Sequence, residues 1–183
     1  MSAGERSDAI SVLTHLRAVR SLSDEPVADD ALDAILEVAR WSGSSQNEQE
    51  WQLVVLRDRE TLRRLSQASP SAGHLAGAPL AIAIVMPGQR KILEAFDEGR
   101  MVERIMLAAN ACGLAAGMAW VSSDKAAARE ALGLPADRSV RTVVTIGHPA
   151  GGGRRPGAGP HGTRRPLEET VHHERWGRRE DPR

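Results

Sequence analysis

Leu80-Ala81-Ile82-Ala83-Ile84-Val85-Met86 is the longest unbroken apolar run of the chain, and its reading decides the fold. Seven residues fall far short of the roughly 20 that span a bilayer. A strand with one wet face alternates polar and apolar positions, whereas this run does not, so it reads as a strand covered on both faces. Trp51-Gln52-Leu53-Val54-Val55-Leu56, Gly117 to Val121 and Val140 to Ile146 are β-rich in the same way.

Helical patterns lie between and before these runs. Leu32, Ile35, Leu36 and Ala39 recur at helical spacing, with Asp29 or Asp30 placed to cap the start and Gly43 to end it. Ile10, Leu13 and Leu16 mark an earlier helix over about 7–19, separated from the next by Pro26 and expected to share its core. Further helices are expected over 60–68, over 91–111 with Ile105, Met106, Ala109 and Cys112 on one stripe, and over 125–132. A central sheet between helical layers follows, with strand direction left open by spacing alone.

The chain of 183 residues suits one domain, with residues 1–147 as the core and 148–183 as a glycine- and proline-rich linker and arm. The stretch 148–162 is too long for an ordinary compact connection. Beyond it, Arg164-Arg165-Pro166-Leu167-Glu168-Glu169 reads as a short helix start, and Val171 and Trp176 carry apolar groups. The arm reads as one that docks, on a partner subunit in particular; a disordered tail is the alternative.

Lysine and arginine total 24, as do aspartate and glutamate, so no overall charge points to a nucleic-acid partner. Arginines cluster at Arg17/Arg20, Arg154/Arg155, Arg164/Arg165 and Arg175/Arg178/Arg179, where planar forks suit phosphate or carboxylate and solvated surface is the alternative. Cys112 is the single cysteine, which excludes an intrachain disulfide, and Met1 to Arg6 lacks the apolar core of a secretory signal. A cytoplasmic protein with no membrane partner is expected. His172-His173 completes no ligand spacing for a metal, and neither GxGxxG nor GxxxxGK[ST] occurs.

Three segments carry candidate chemistry. Arg17 and Arg20 sit three apart at a helix end, where they either bind an anion or answer the helix dipole. Ser42 to Glu50 is a polar loop of short hydroxyl and amide side chains ahead of Trp51, suited to a heteroaromatic ring or simply to turn chemistry. Arg164 and Arg165 could close on an anion after the arm.

The order of these features resembles the nitroreductase family over nearly the whole chain. Arg17-Ala18-Val19-Arg20 before Asp24-Glu25-Pro26-Val27 is similar to the family's RRSxR helix end and its DEPV-like turn. Ser44, Asn47, Gln49 and Trp51 fall on the positions of its APSxxNxQPW loop. The strand after Ala78-Pro79, Leu107 to Leu114, Ile146 to Pro149 and Arg164 to Glu169 continue the match. Leu16, Ala18, Gly43 and Glu50 depart from it, removing two phosphate-binding groups and two loop prolines.

The resemblance implies an α+β fold, an α/β/α sandwich with a mainly antiparallel sheet, whose C-terminal arm is exchanged in a homodimer holding FMN at the interface. It implies that Arg17, Ala18, Arg20, Arg164 and Arg165 serve the phosphate or pyrimidine side. Ser44 and Asn47 would approach from the partner, Gln49 would support the loop, and the backbone at Val121 and Ser122 would face the isoalloxazine edge. No acid or base residue is implied, because the flavin carries the chemistry. The implied activity passes hydride from NAD(P)H to a nitroaromatic, quinone or other small flat aromatic acceptor. A flavin-sequestering protein and a specialised flavoenzyme such as a reductive dehalogenase are the alternatives. Trp41 and Trp120 are read as core anchors, with substrate stacking as the alternative.

Overall fold

The structure is a computed structural model that describes residues 3–121, 125–151 and 164–179. Two compact units emerge, residues 1–153 and 154–183. The first holds a sheet of β1 (Gln52–Leu56), β2 (Leu80–Met86), β3 (Ala115–Trp120) and β4 (Ser139–Gly147), ordered β1-β2-β4-β3. Every neighbouring pair is antiparallel.

All seven residues of β2 are buried, as an unbroken apolar strand requires. Leu80, Ile82, Ile84 and Met86 face a core shared with α2 (Asp29–Arg40) and α4 (Lys91–Ala111). Ala81 and Ala83 face a second core, made with α3 (Arg59–Ser66), the 3-10 segment Pro70–Gly77 and α5 (Lys125–Ala131). Each fully buried Leu, Ile or Met contributes about 1.5–3 kcal/mol, so the larger side chains of the first face make it the stronger one. The helices thus form two layers about the sheet, the expected α/β/α sandwich.

The register between β2 and β4 shifts after Ile84: Ile84 pairs with Thr142 and Val85 with Val140. Arg141 is the extra residue of this bulge. A bulge turns consecutive side chains toward one side, which explains why Arg141 and Thr142 both reach Glu98 of α4, at 2.8 and 3.2 Å. Burial pushes the Glu98 carboxyl above its usual pKa range, against the hydrogen bonds from Arg141 and Thr142.

Several local expectations are corrected. The first helix, α1 (Ala3–His15), packs on α4 but leaves Ile10 and Leu13 more than half exposed; only Leu16, beyond its end, reaches the first core. The two early helices therefore share no common stripe. The N-cap position of α2 is Ala28 rather than Asp29 or Asp30; Asp29 pairs with Arg57 at 2.8 Å, and Asp30 accepts from the Ala31 amide within the first turn at 2.8 Å. That helix ends at Trp41 rather than Gly43. Cys112 lies past the end of α4 and is exposed.

Trp51 is buried where the chain turns into β1, but Trp41 and Trp120 are 65% and 42% exposed and anchor no core. Each ring has a polar reason to stay at the surface. The Trp41 indole donates to Glu37 at 2.9 Å, and the Arg141 guanidinium lies 5.7 Å above the Trp120 ring on the edge strand.

The second unit contains α6 (Leu167–Thr170), with Arg165 paired to Glu169 and the His172 ring 4.3 Å from that of Trp176. Leu167, Val171 and Trp176 are exposed. Most of the glycine-rich stretch, with Arg154 and Arg155, lies outside the described residues. Among the described residues, no helix is long and apolar enough to cross a membrane.

Candidate functional site

The chain leaves α1 and runs along the outer edge of β3. The Val19 amide donates to the Ala116 carbonyl at 2.8 Å, and residues 21–23 pair with 148–150 beyond β4. This approach needs glycine at 117, because a Cβ there would stand 2.4 Å from the Val19 carbonyl oxygen. Arg20 is thereby held beside β3, exposed, with its Cγ 3.3 Å from the same Cβ position.

Arg17 does something different. Its Nη1 donates to the Thr14 and Leu16 carbonyls at 2.8 and 2.7 Å, closing the C-terminal end of α1. Ala18 is exposed, and Leu16, where many family members carry arginine, is committed to the core.

His74, from the 3-10 segment, faces Arg20 and escaped the sequence reading. Its half-buried ring has an Nε2 with no solvent exposure and no hydrogen-bond partner. Burial first, then the charge of Arg20, hold the imidazole below its usual pKa, against a hydrogen bond with the Ser71 backbone. A neutral ring donating one N–H to that carbonyl keeps a lone pair on Nε2. Arg20 thus offers donors beside an acceptor, a pattern that matches the edge of an imide ring, where C=O and N–H alternate. A lone histidine between small residues gives no pattern by which it could have been found.

The polar loop is strained. Gln46, Asn47 and Gln49 have φ of 51°, 59° and 50°, the left-handed region that asparagine tolerates and glutamine does not favour. Such residues cost of order 1–3 kcal/mol each and persist where neighbours over-determine them. Here Ser44 Oγ accepts from the Gln49 amide at 2.9 Å, Gln49 Nε2 donates to the Asn47 carbonyl at 3.2 Å, and Glu48 pairs with Arg90 at 2.7 Å. The Ser45 amide donates to Asp97 of α4 at 3.3 Å. Gln49 accordingly has the supporting contacts expected of it, Ser44 caps the loop from within, and the exposed Asn47 is its outward-facing amide.

Val121 follows β3 with its side chain fully buried and its amide on the Arg141 carbonyl at 2.9 Å, so only backbone remains for a ligand there. Ser122 lies outside the described residues. Ser71 Oγ donates to the Trp120 carbonyl at 3.2 Å, tying the His74 segment to the same strand end. Arg164 and Arg165 are exposed in the second unit.

Within one chain, then, Arg20, His74 and the end of β3 come together. Ser44 and Asn47 ride on α4, in the other helical layer.

A relative from Archaeoglobus fulgidus, bearing a provisional NADH dehydrogenase/NAD(P)H nitroreductase name, is 33% identical over 73% of this chain and 80% of its own length. The family model for nitroreductases matches residues 13–72, which include α2, the strained loop and β1. The chain belongs to the nitroreductase family. Another relative, the FMN reductase [NAD(P)H] of Bacillus subtilis, is 31% identical over 70% of this chain and 52% of its own length. The FMN-dependent nitroreductase of Clostridium difficile R20291 has the same fold, with a TM-score of 0.80 at 25% identity over 91% of this chain and 99% of that one. The four-stranded antiparallel sheet and its two helical layers are therefore those of the nitroreductase fold.

Proposed function

We propose that the protein is a flavin oxidoreductase that holds FMN in a homodimer and passes hydride from NAD(P)H to a small flat acceptor such as a nitroaromatic or quinone. The observation that carries this reading is the orphaned His74 Nε2 on a segment tied to the end of β3, the strand that also carries Arg20 alongside it. The pyrimidine end of the isoalloxazine carries an N–H that suits the His74 lone pair and a C2 carbonyl and N1 that suit the Arg20 fork. The donor set fits the group.

When bound, FMN supplies the hydride and electron chemistry, taking electrons from the nicotinamide and giving them to the acceptor. Arg20 offers a fixed positive charge where negative charge gathers on the N1/C2 end. His74, once its ring shifts to expose Nε2, would help orient the pyrimidine end of the ring. Arg164 and Arg165 are the cations assigned to the phosphate, together with any share of Arg17 that its capping of α1 leaves. The backbone at Val121 and Ser122 is assigned the edge near N5.

Ser44 and Asn47 lie in the other layer, so their approach to the ring is assigned to the partner subunit. Exposed apolar side chains support a dimer: Ile92 and Phe96 on α4 are 74% and 68% exposed, and Ile10 and Leu13 add to them on α1. Exposed Leu167 and Trp176 suit an arm that docks on the neighbour.

The test is the visible spectrum of the purified protein, followed by NADH or NADPH without oxygen. A yellow protein bleached by NAD(P)H and recoloured by a nitroarene or quinone is expected. A colourless protein that takes up no added FMN would overturn the reading. Yellow colour that NAD(P)H cannot bleach would replace reductase with flavin sequestration.

A further inference from the structure

Where β2 ends, β4 begins and α4 starts, the core unit has a half-open cavity of about 240 Å³. None of Arg17, Arg20, Ser44, Asn47 or His74 lines it. Lys91, Arg129, Arg138 and Arg141 do, drawn from α4, α5, the turn before β4, and the bulge of β4 itself.

Two of their guanidinium nitrogens, Arg129 Nε and Arg141 Nη2, have no solvent exposure and no hydrogen-bond partner. A buried donor left unpaired costs about 1–3 kcal/mol, more when charged. The nearby carboxylates serve other donors through one oxygen each: Glu98 Oε2 takes Arg141 Nε at 2.8 Å and Thr142 at 3.2 Å, while Glu94 Oε1 on the cavity wall takes the Arg90 amide at 2.9 Å. Four cations against these two carboxylates leave an excess of two positive charges. The cavity is short of negative charge.

We infer that this cavity is a binding site for a phosphoryl group. An oxyanion with several acceptor oxygens meets converging arginine forks with charge-assisted bonds, which neutral or cationic ligands cannot. The volume falls below the roughly 300–1,000 Å³ of sites that enclose a drug-sized ligand, so it fits a free phosphate or the phosphate end of a larger molecule, not a whole nucleotide. Binding there would reach the strand end beside the proposed flavin edge, because Arg141 also covers Trp120 and its carbonyl accepts the Val121 amide.

The test uses the full chain saturated with FMN, in a buffer free of phosphate and sulfate, with ionic strength held by chloride. Calorimetric titration with inorganic phosphate and, separately, with 2′,5′-ADP is expected to give saturable binding with Kd on the order of 1 mM or tighter for at least one of them. A tenfold preference for 2′,5′-ADP identifies a nucleotide-borne phosphate as the source; equal or weaker binding identifies free phosphate. Arg129→Met and Arg138→Gln should each weaken binding at least tenfold while leaving the flavin spectrum unchanged. Arg129→Met should also hold or raise the Tm without phosphate, since it removes an unpaired buried donor. Absence of saturable binding to both probes, or binding undiminished in both variants, overturns the inference.

Discussion

Gly117→Ala tests whether the packing of residues 18–20 on β3 places Arg20. The new Cβ would meet the Val19 carbonyl oxygen at 2.4 Å and the carbonyl carbon at 3.2 Å. Ordinary contact begins near 3.4 Å, so the oxygen must retreat by about 1 Å. The obstacle is backbone and has no rotamer to change, and the amide of the same residue is pinned to Ala116 at 2.8 Å. Overpacking of this kind costs about 1–3 kcal/mol. At roughly 2–4 °C per kcal/mol for a chain of this size, the Tm should fall by about 2–12 °C. Arg20 moves with Val19, and a displacement of about 1 Å can cost on the order of 10²-fold where geometry governs rate. Thermal unfolding without flavin, FMN titration by fluorescence quenching, and steady-state reduction with NAD(P)H measure the three consequences. An unchanged Tm would refute the packing argument. A lowered Tm with unaltered FMN affinity and turnover would show that the 18–20 segment does not position the flavin.

Arg20→Ala should lower the flavin's reduction potential or its occupancy, and unchanged values of both remove the role given to Arg20. His74→Leu should weaken FMN binding by about three- to tenfold, the worth of one neutral hydrogen bond, and should also lower the Tm of the flavin-free protein through loss of the bond to the Ser71 backbone; undiminished affinity counts against the flavin contact. Phe96→Glu puts a charge on the exposed face of α4 and should convert the proposed dimer to monomers in size-exclusion chromatography with light scattering; a dimer that persists in the variant moves the proposed interface elsewhere. Glu98 has a folded pKa above its unfolded one, so the folded state binds the extra proton and stability falls as pH rises from the ordinary carboxylate range through the raised value. Glu98→Gln should flatten that decline in calorimetric Tm against pH, and an identical slope in both proteins would show that Glu98 is not its source.

Much of the fold was legible because it rests on patterns that a one-dimensional reading captures. Leu80 to Met86 could only be a strand buried on both faces, and α4 has the bounds its periodicity gives, Lys91 to Ala111. What failed depended on partners distant in sequence. The stripe of α1 looked like core, yet Ile10 and Leu13 are more than half exposed. Trp41 and Trp120 looked like anchors because tryptophan usually buries, and polar partners at Glu37 and Arg141 hold them at the surface instead. In the site, Arg20 and the polar loop were marked by residue type and order. His74 was not, because its significance lies in one ring nitrogen without a partner, a property of packing that no spacing encodes. Arg141 was hidden for a related reason: only the bulge between Ile84 and Val85 turns it toward Glu98 and the cationic cavity.

The loss of two prolines from the family's loop does not make that loop slack. Proline fixes φ covalently and lowers the entropy of the unfolded chain; here the same region is set by contacts that exist only when the chain is folded. Ser44 on the Gln49 amide, Glu48 on Arg90 and the Ser45 amide on Asp97 hold three non-glycine residues at positive φ. Two of these ties end on α4 or its N-terminal edge, the element whose exposed apolar face is assigned to the proposed dimer. A loop pinned to the proposed interface helix presents Asn47 in a fixed direction away from its own chain. Arg20 is fixed beside β3 by an equally short-range device, the glycine at 117, and the His74 segment is tied to the end of the same strand by Ser71 on the Trp120 carbonyl. On the proposed reading each chain carries two half-sites on different layers, and a planar ligand gripped by both needs two chains. Flavin affinity in this protein should consequently depend on dimer assembly, even though no residue of the Arg20–His74 pair touches the interface helix.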